Sequence, residues 1–203
     1  MQWIPKQFWT GMDVFVIGGG DSLRASGFDW NRLSSKLTIG CNDAYQLGPV
    51  VCNICVFGDL KWWHHHRDAL EKFPNPVFTN QPSLHANAPD WLLSMSRLGH
   101  GISRTQLGWN HSTGSVGINL ALALGAQRVC LIGFDMKLGK TGRANWHDHN
   151  VHNPNIESYN RFAKGFKLMA RNLPTVFPGR EIINLGPDSD LECFPKANLD
   201  DYL

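Results

Sequence analysis

The sequence predicts an α/β fold: a Rossmann-like, mostly parallel sheet with helices on both faces and a small lid. Three observations carry that expectation. Short apolar runs recur along the 203 residues, and each ends in Gly, Asn or Asp. Segments of helical periodicity separate several of them, so strands alternate with helices. The runs are apolar nearly throughout, as strands covered on both faces must be.

The elements follow in order. The first strand, Asp13–Ile17, runs into Gly18-Gly19-Gly20-Asp21-Ser22. The second, Lys36–Gly40, ends in Cys41-Asn42-Asp43, and the third, Asn53–Phe57, in Gly58-Asp59. A short helix is expected over Leu60–Phe73. A fourth strand, Pro76–Thr79, ends in Asn80. A helix over Ser115–Leu124 follows Ser112-Thr113-Gly114 and stops at Gly125, which suits a left-handed terminus. The fifth strand, Arg128–Ile132, ends in Gly133-Phe134-Asp135. The longest helix runs from about Asn155 to Asn172, with Ile156, Tyr159, Phe162, Phe166, Met169 and Leu173 at helical spacing. Asn153 is expected to cap it, Pro154 to take its first position and Pro174 to end it. The sixth strand, Glu181–Leu185, ends in Gly186-Pro187-Asp188-Ser189.

Bulk properties narrow the class. Hydrophobic residues make up 42% and charged residues 18%, which supports a sizeable core and excludes global disorder. The length fits one domain, residues 1–203, with a lid near 136–153. The net charge is +2 and no run of five like charges occurs, so the electrostatic footprint of nucleic-acid binding is missing. No apolar window reaches the roughly 18 residues of a membrane span. Met1–Thr10 lacks the apolar run of a signal peptide, which predicts a cytoplasmic chain. Five cysteines (Cys41, Cys52, Cys55, Cys130 and Cys193) are scattered, mostly in apolar stretches, and read as small hydrophobes. Cys52 and Cys55 form a C-x-x-C without the second pair that a structural zinc site uses.

In open parallel sheets ligands bind beyond the carboxyl ends of the strands. Here those ends carry Gly18–Ser22, Asn42-Asp43, Gly58-Asp59 and Gly133–Asp135, so small and polar residues gather at one edge. The three glycines allow a tight turn whose N–H groups can cradle a phosphate, and Ser22 can add its hydroxyl. Leu23 stands where the dinucleotide fingerprint has its last glycine, and no Gly-Lys-Ser/Thr of a Walker loop follows. Ser112, Thr113 and Gly114 open a helix whose free N–H groups and hydroxyls suit an anion. His147, His149 and His152 lie within one short polar stretch. An imidazole there can take a proton from a hydroxyl near neutrality, and the group with Asp148 and Asp135 can also hold a divalent metal. Lys137, Lys140 and Arg143 can reach a phosphate from the lid. His64-His65-His66, consecutive on a helix, point in different directions and read as mainly surface. Among the eight tryptophans, Trp62, Trp63 and Trp109 can stack on a sugar or a base, or simply pack.

These segments, in this order, resemble the bacterial lipooligosaccharide sialyltransferases. They also resemble the wider group related to archaeal 6-hydroxymethylpterin diphosphokinase, which has many phage-encoded members. The matching stretches are Val16–Leu23, Phe28–Leu33, Gly40–Tyr45, Val56–Asp59, and Ser112-Thr113-Gly114 through Gly125 to Leu131–Asp135. The resemblance implies a Rossmann-like sheet with a lid, a CMP-sugar donor and a metal-independent, inverting transfer to a hydroxyl acceptor. It places nucleotide contacts on Gly18, Gly19, Gly20, Ser22, Asn42, Thr113 and Gly114, and the general base on His152. Two lid tyrosines that contact the donor phosphate in that family fall near Lys137 and Arg143. Asp59, Ser112 and Asp135 join the expected nucleotide site from the strand ends and the helix start. No cofactor beyond the donor is implied, and homo-oligomers are possible for such a chain.

Three other readings stay open on the sequence. One is a diphosphate-transferring enzyme using ATP and Mg²⁺ on a pterin-like alcohol, with Asp59 or Asp135 near the metal. Another is a nucleotide-binding module without chemistry. The last is a His/Asp metal hydrolase.

Overall fold

The computed structural model describes residues 5–148, 151 and 154–203. Its centre is a seven-stranded sheet, parallel throughout. In chain order the strands are β1 (Asp13–Ile17), β2 (Leu37–Cys41), β3 (Ile54–Phe57), β4 (Val77–Thr79), β5 (Leu92–Ser94), β6 (Arg97–Leu98), β7 (Leu107–Gly108), β8 (Arg128–Ile132) and β9 (Glu181–Asn184). The sheet order is β5-β4-β3-β2-β1-β8-β9, and β6 and β7 pair apart from it. Among the described residues the α-helices are α1 (Ser22–Ala25), α2 (Leu60–Leu70), α3 (Thr113–Ala123) and α4 (Ile156–Val176).

The expected fold class is therefore the one observed. The six strands read from the sequence are β1, β2, β3, β4, β8 and β9, each within one residue at either end. The short β5, β6 and β7 were not foreseen. From β1 the chain builds outward through β2 to β5, then returns to place β8 on the other side of β1. The topological switch point thus lies between β1 and β8, where parallel sheets bind ligands.

Burial on both faces explains the apolar strands. Val14, Val16, Ile39 and Val56 pack with the buried face of α3 and with Phe166 and Met169 of α4. On the other face, Phe15, Ile17, Cys130 and Ile132 meet Leu23 and Leu33, while Cys55 and Phe57 meet Trp62 and Trp63 of α2. Every residue of α3 is buried, which explains why it shows no polar stripe.

Local chemistry sets the helix ends. Gly125, at φ 103°, closes α3 with Gly125 N–H on Leu122 O and Ala126 N–H on Ala121 O, the paired bonds of a Schellman cap. The expected cap of α4 needs correction. Asn155 caps it, accepting the Ser158 N–H at 3.0 Å, so Pro154 precedes the helix; Asn153 lies outside the described residues. Pro174 does not end α4. The helix runs on to Val176 and closes with Phe177 N–H on Leu173 O. Among the described residues no helix is long and apolar enough to cross a membrane.

All five cysteines are free, and four are buried. Burial pushes the Cys52 and Cys130 thiols up to about 12 and the half-buried Cys193 to about 11, and raises Cys41 and Cys55 well above the usual range. The thiolate is the reactive form, so at pH 8 the native protein is expected to give at most one quickly reacting thiol with an aromatic disulfide reagent. In guanidinium all five should react. Rapid labelling of two or more in the folded state would contradict the buried placement.

Candidate functional site

A cavity of about 440 Å³ opens at the carboxyl edge of the sheet, over the switch point. Gly18, Gly19 and Gly20 form one wall and Gly133–Lys137 another. Asn42 and Asp59 come from the ends of β2 and β3, Ser112–Gly114 from the start of α3, and Ala144, Asn145 and His147 from the expected lid. Ser158, Tyr159, Arg161 and Phe162 on the first turns of α4 complete it.

The glycines are required here for a different reason than a tight turn. None of the three has a positive φ. Each instead lets another segment close in. A Cβ on Gly18 would lie 2.5 Å from Gly133 O, one on Gly19 2.5 Å from Asn145 Oδ1, and one on Gly20 within 2.7 Å of the whole Asp135 carboxylate. The N–H groups of Gly18 and Gly20 are also spent, on Ile132 O and Gly133 O, both at 2.8 Å. The expected phosphate cradle made by those two N–H groups is corrected accordingly: they join β1 to β8.

Ser22 is corrected for the same reason. Its N–H and hydroxyl both donate to the Asp135 carboxylate, at 2.8 and 2.6 Å, and it is not part of the cavity wall. Asp135, 8% exposed, thus fastens the end of β8 to the start of α1 while one side of it borders the cavity. Asp21 turns away from the cavity. Gly139 packs against its carboxylate and Arg143 Nε lies 3.7 Å away, so its charge does not confront an anion at the glycine wall.

The start of α3 fits the anion-site expectation better. Thr113 and Gly114 head an eleven-residue helix on the cavity wall, and their N–H groups have no acceptor among the described residues. Ser112 makes no side-chain cap. The buried Ser115 hydroxyl is turned inward onto the carbonyls of Gly108, Trp109 and Ser112.

At the end of β2, Asn42 sits at φ 52°, a left-handed conformation that asparagine tolerates better than most residues. Its buried Oδ1 has no partner among the described residues. A left-handed residue with an unpartnered amide oxygen at a cavity is a candidate ligand contact. Asp59 borders the cavity but accepts the Trp62 N–H at 2.9 Å as the cap of α2.

The lid cations are largely occupied. Lys137 donates to Asp188 O and to Asp190 Oδ1, though it still borders the cavity. Arg143 pairs with Asp148 and approaches Asp21, and it lies outside the cavity wall. A cation already neutralised by carboxylates is a poor phosphate ligand, so Arg143 is corrected to a fastener of the lid segment. Trp146 ties the same segment down by donating its backbone N–H to Gly19 O and its indole N–H to Gly18 O, both at 2.9 Å.

Several site residues were not foreseen. Arg161 faces the cavity with only the Ser158 hydroxyl, at 3.4 Å, as a partner among the described residues. Burial, then the charge of Asp135, pushes the Tyr159 hydroxyl up to about 12, which keeps it protonated as a donor. Asp43, 3% exposed, accepts the Trp62 indole N–H at 2.8 Å and the Gln46 amide at 3.0 Å. Its carboxylate stands 3.7 Å from His66 Nε2 and 3.9 Å from His147 Nε2. His66 is thus buried, sharing a 3.0 Å hydrogen bond with the Tyr45 hydroxyl; only His64 and His65 lie on the surface. His152 and His149 fall outside the described residues. Val151 and Pro154, which bracket His152, both line the cavity.

Among the described residues no three His, Cys, Asp or Glu side chains converge to hold a metal. Asp135 and Asp59, one of which the diphosphate-transfer reading places near Mg²⁺, accept hydrogen bonds from Ser22 and from the Trp62 N–H.

No protein-family model matches the chain, and no curated protein matches it. Among solved structures it is similar to a variant of the sialyltransferase CST-II in complex with CMP. The TM-score is 0.51 at 13% identity, over 91% of this chain and 85% of that one. The likeness is one of fold.

Proposed function

We propose that the chain is a nucleotide-dependent transferase of the sialyltransferase type, taking a CMP-sugar donor without a metal. The observation that carries this reading is the meeting, in one cavity at the switch point, of the open start of α3 with the unpartnered amide oxygen of Asn42. The first suits a phosphate and the second a polar edge of a nucleoside. A structure of the same fold, with CMP bound, supports the choice of nucleotide.

In this reading Thr113 and Gly114 N–H groups hold the donor phosphate, and Arg161 with the protonated Tyr159 meets charge as it leaves. Lys137 stands at the edge of the same region. His152 takes the proton of the acceptor hydroxyl as that oxygen attacks the anomeric carbon and the CMP oxygen departs.

Calorimetric titration with CMP, UDP and ATP, each with and without Mg²⁺, tests the donor class. CMP is expected to bind in the absence of Mg²⁺ and more tightly than ATP. A strict Mg²⁺ requirement with a preference for ATP would overturn the reading in favour of diphosphate transfer. CMP binding with no transfer across an acceptor panel would leave a binding module.

A further inference from the structure

Trp109 borders the same cavity from the turn that leads into α3. The Arg97 guanidinium covers one face of its ring, 4.3 Å from the centroid. Its benzo edge rests on Gly58, where a Cβ would lie 2.7 Å from Cε3 and closer still to Cζ3. Neither Arg97 nor Gly58 lines the cavity. Arg97 thus occupies one face of a ring that itself borders the cavity, and the opposite face is the one a planar group could cover.

The ring is held rigidly. Arg97 is anchored by donating to Asn80 O at 3.0 Å and to Gly58 O at 2.5 Å. The turn after Trp109 contains two successive left-handed non-glycine residues, Asn110 at φ 44° and His111 at φ 62°. Asn110 is fully buried and exchanges two hydrogen bonds with the Gly101 backbone, at 2.7 and 2.9 Å. Such strain persists only when the surroundings enforce it, and it clusters at ligand sites. Here it brings an aromatic ring and the start of α3, with Thr113 and Gly114 four and five residues further on, to one cavity.

A nucleotide offers the same two features, a planar base and a phosphate joined by a ribose. We infer that Trp109 is the stacking platform for the base of the donor nucleotide, backed by Arg97 and seated on Gly58. This rests on the nucleotide reading above and adds the residue that receives the base. A cation beneath the ring binds to its electron-rich face and fixes its plane, and stacking on an aromatic tolerates any base. Base identity would then be read at the base edge, and the platform would supply affinity.

The test compares the intact protein with Trp109→Leu, which keeps apolar bulk without a π face. Binding of CMP, AMP and ribose 5-phosphate is measured by calorimetry. CMP and AMP are both expected to weaken by about ten- to a hundredfold, while ribose 5-phosphate, which has no base, changes by less than about twofold. Equal CMP affinity in the variant would overturn the platform alone. Parallel loss of CMP and ribose 5-phosphate would also overturn it, by showing that Trp109 only supports the fold. No CMP or AMP binding by the unaltered protein would instead overturn the nucleotide reading. Should Trp109→Leu fail to fold, Trp109→Phe retains a ring. CMP is expected to quench the fluorescence of the unaltered protein, and in Trp109→Phe that quenching should be largely lost with binding retained; undiminished quenching would overturn the proposal.

Discussion

Replacing His152 with alanine is expected to slow sugar transfer by about 10²- to 10⁴-fold and to change CMP affinity by less than about twofold. A hydroxyl is a weak nucleophile until a base removes its proton in the transition state, and imidazole is suited to that near neutrality. The residues that bracket His152, Val151 and Pro154, both line the cavity. The groups proposed to hold CMP lie at the start of α3, in the turn before it and at the end of β2, so losing the imidazole should leave donor binding intact. Transfer to an acceptor panel and calorimetry with CMP check the two halves separately. The informative companion is His147→Ala. His147 lines the cavity and points Nε2 toward the buried Asp43 carboxylate at 3.9 Å. A rate unaffected by His152→Ala but abolished by His147→Ala would move the base to His147.

The second large effect falls on the junction of the glycine wall with Asp135. Asp135→Ala removes two hydrogen bonds from Ser22 to a carboxylate, at 2.8 and 2.6 Å. Bonds to charged groups contribute about 1.5–3 kcal/mol each, and some of that is recovered when water replaces the side chain. A net loss of about 2–4 kcal/mol is expected, which for a chain of this size lowers Tm by about 5–15 °C. Gly20→Ala attacks the same junction from the other side, because its Cβ would occupy the space of the carboxylate. Its effect should be similar. Combining the two changes should then destabilise less than their sum, since truncating Asp135 makes room for the new methyl group. Thermal unfolding followed by circular dichroism checks this. Additive losses would show that Gly20 and Asp135 do not share one constraint.

The strands were legible because burial on both faces leaves a strong mark, an apolar run closed by Gly, Asn or Asp. The ends of α3 were legible for a similar reason, since Gly125 and Ser112-Thr113-Gly114 carry local backbone requirements. The missed strands β5, β6 and β7 have two or three residues each, too few to show a period. Distant amides organise that region instead. Asn119, buried inside α3, accepts the N–H groups of Ser103 and Gly108, and Asn110 holds Gly101. No local pattern announces such partners.

The site divides in the same way. Its location followed from the residues at the strand ends, and Gly18, Gly20, Asn42, Thr113, Gly114 and Asp135 do meet at one cavity. Their individual duties did not follow. Gly20 looked like a phosphate cradle and proved to be the space an Asp135 carboxylate needs. Arg143 looked like a ligand for phosphate, yet it pairs with Asp148. Arg161 and Tyr159 were visible only as members of a helix, since the period marks which face is apolar and not what lies opposite its first turns.

By itself the sequence determined the architecture and the edge where a ligand would bind, because hydrophobic burial and backbone turns are written in neighbouring residues. Tertiary structure decided which polar groups are spent on the fold and which stay open. Whether a donor or a charge is free depends on partners more than a hundred residues away, as with Ser22 and Asp135, and only folding brings those into contact.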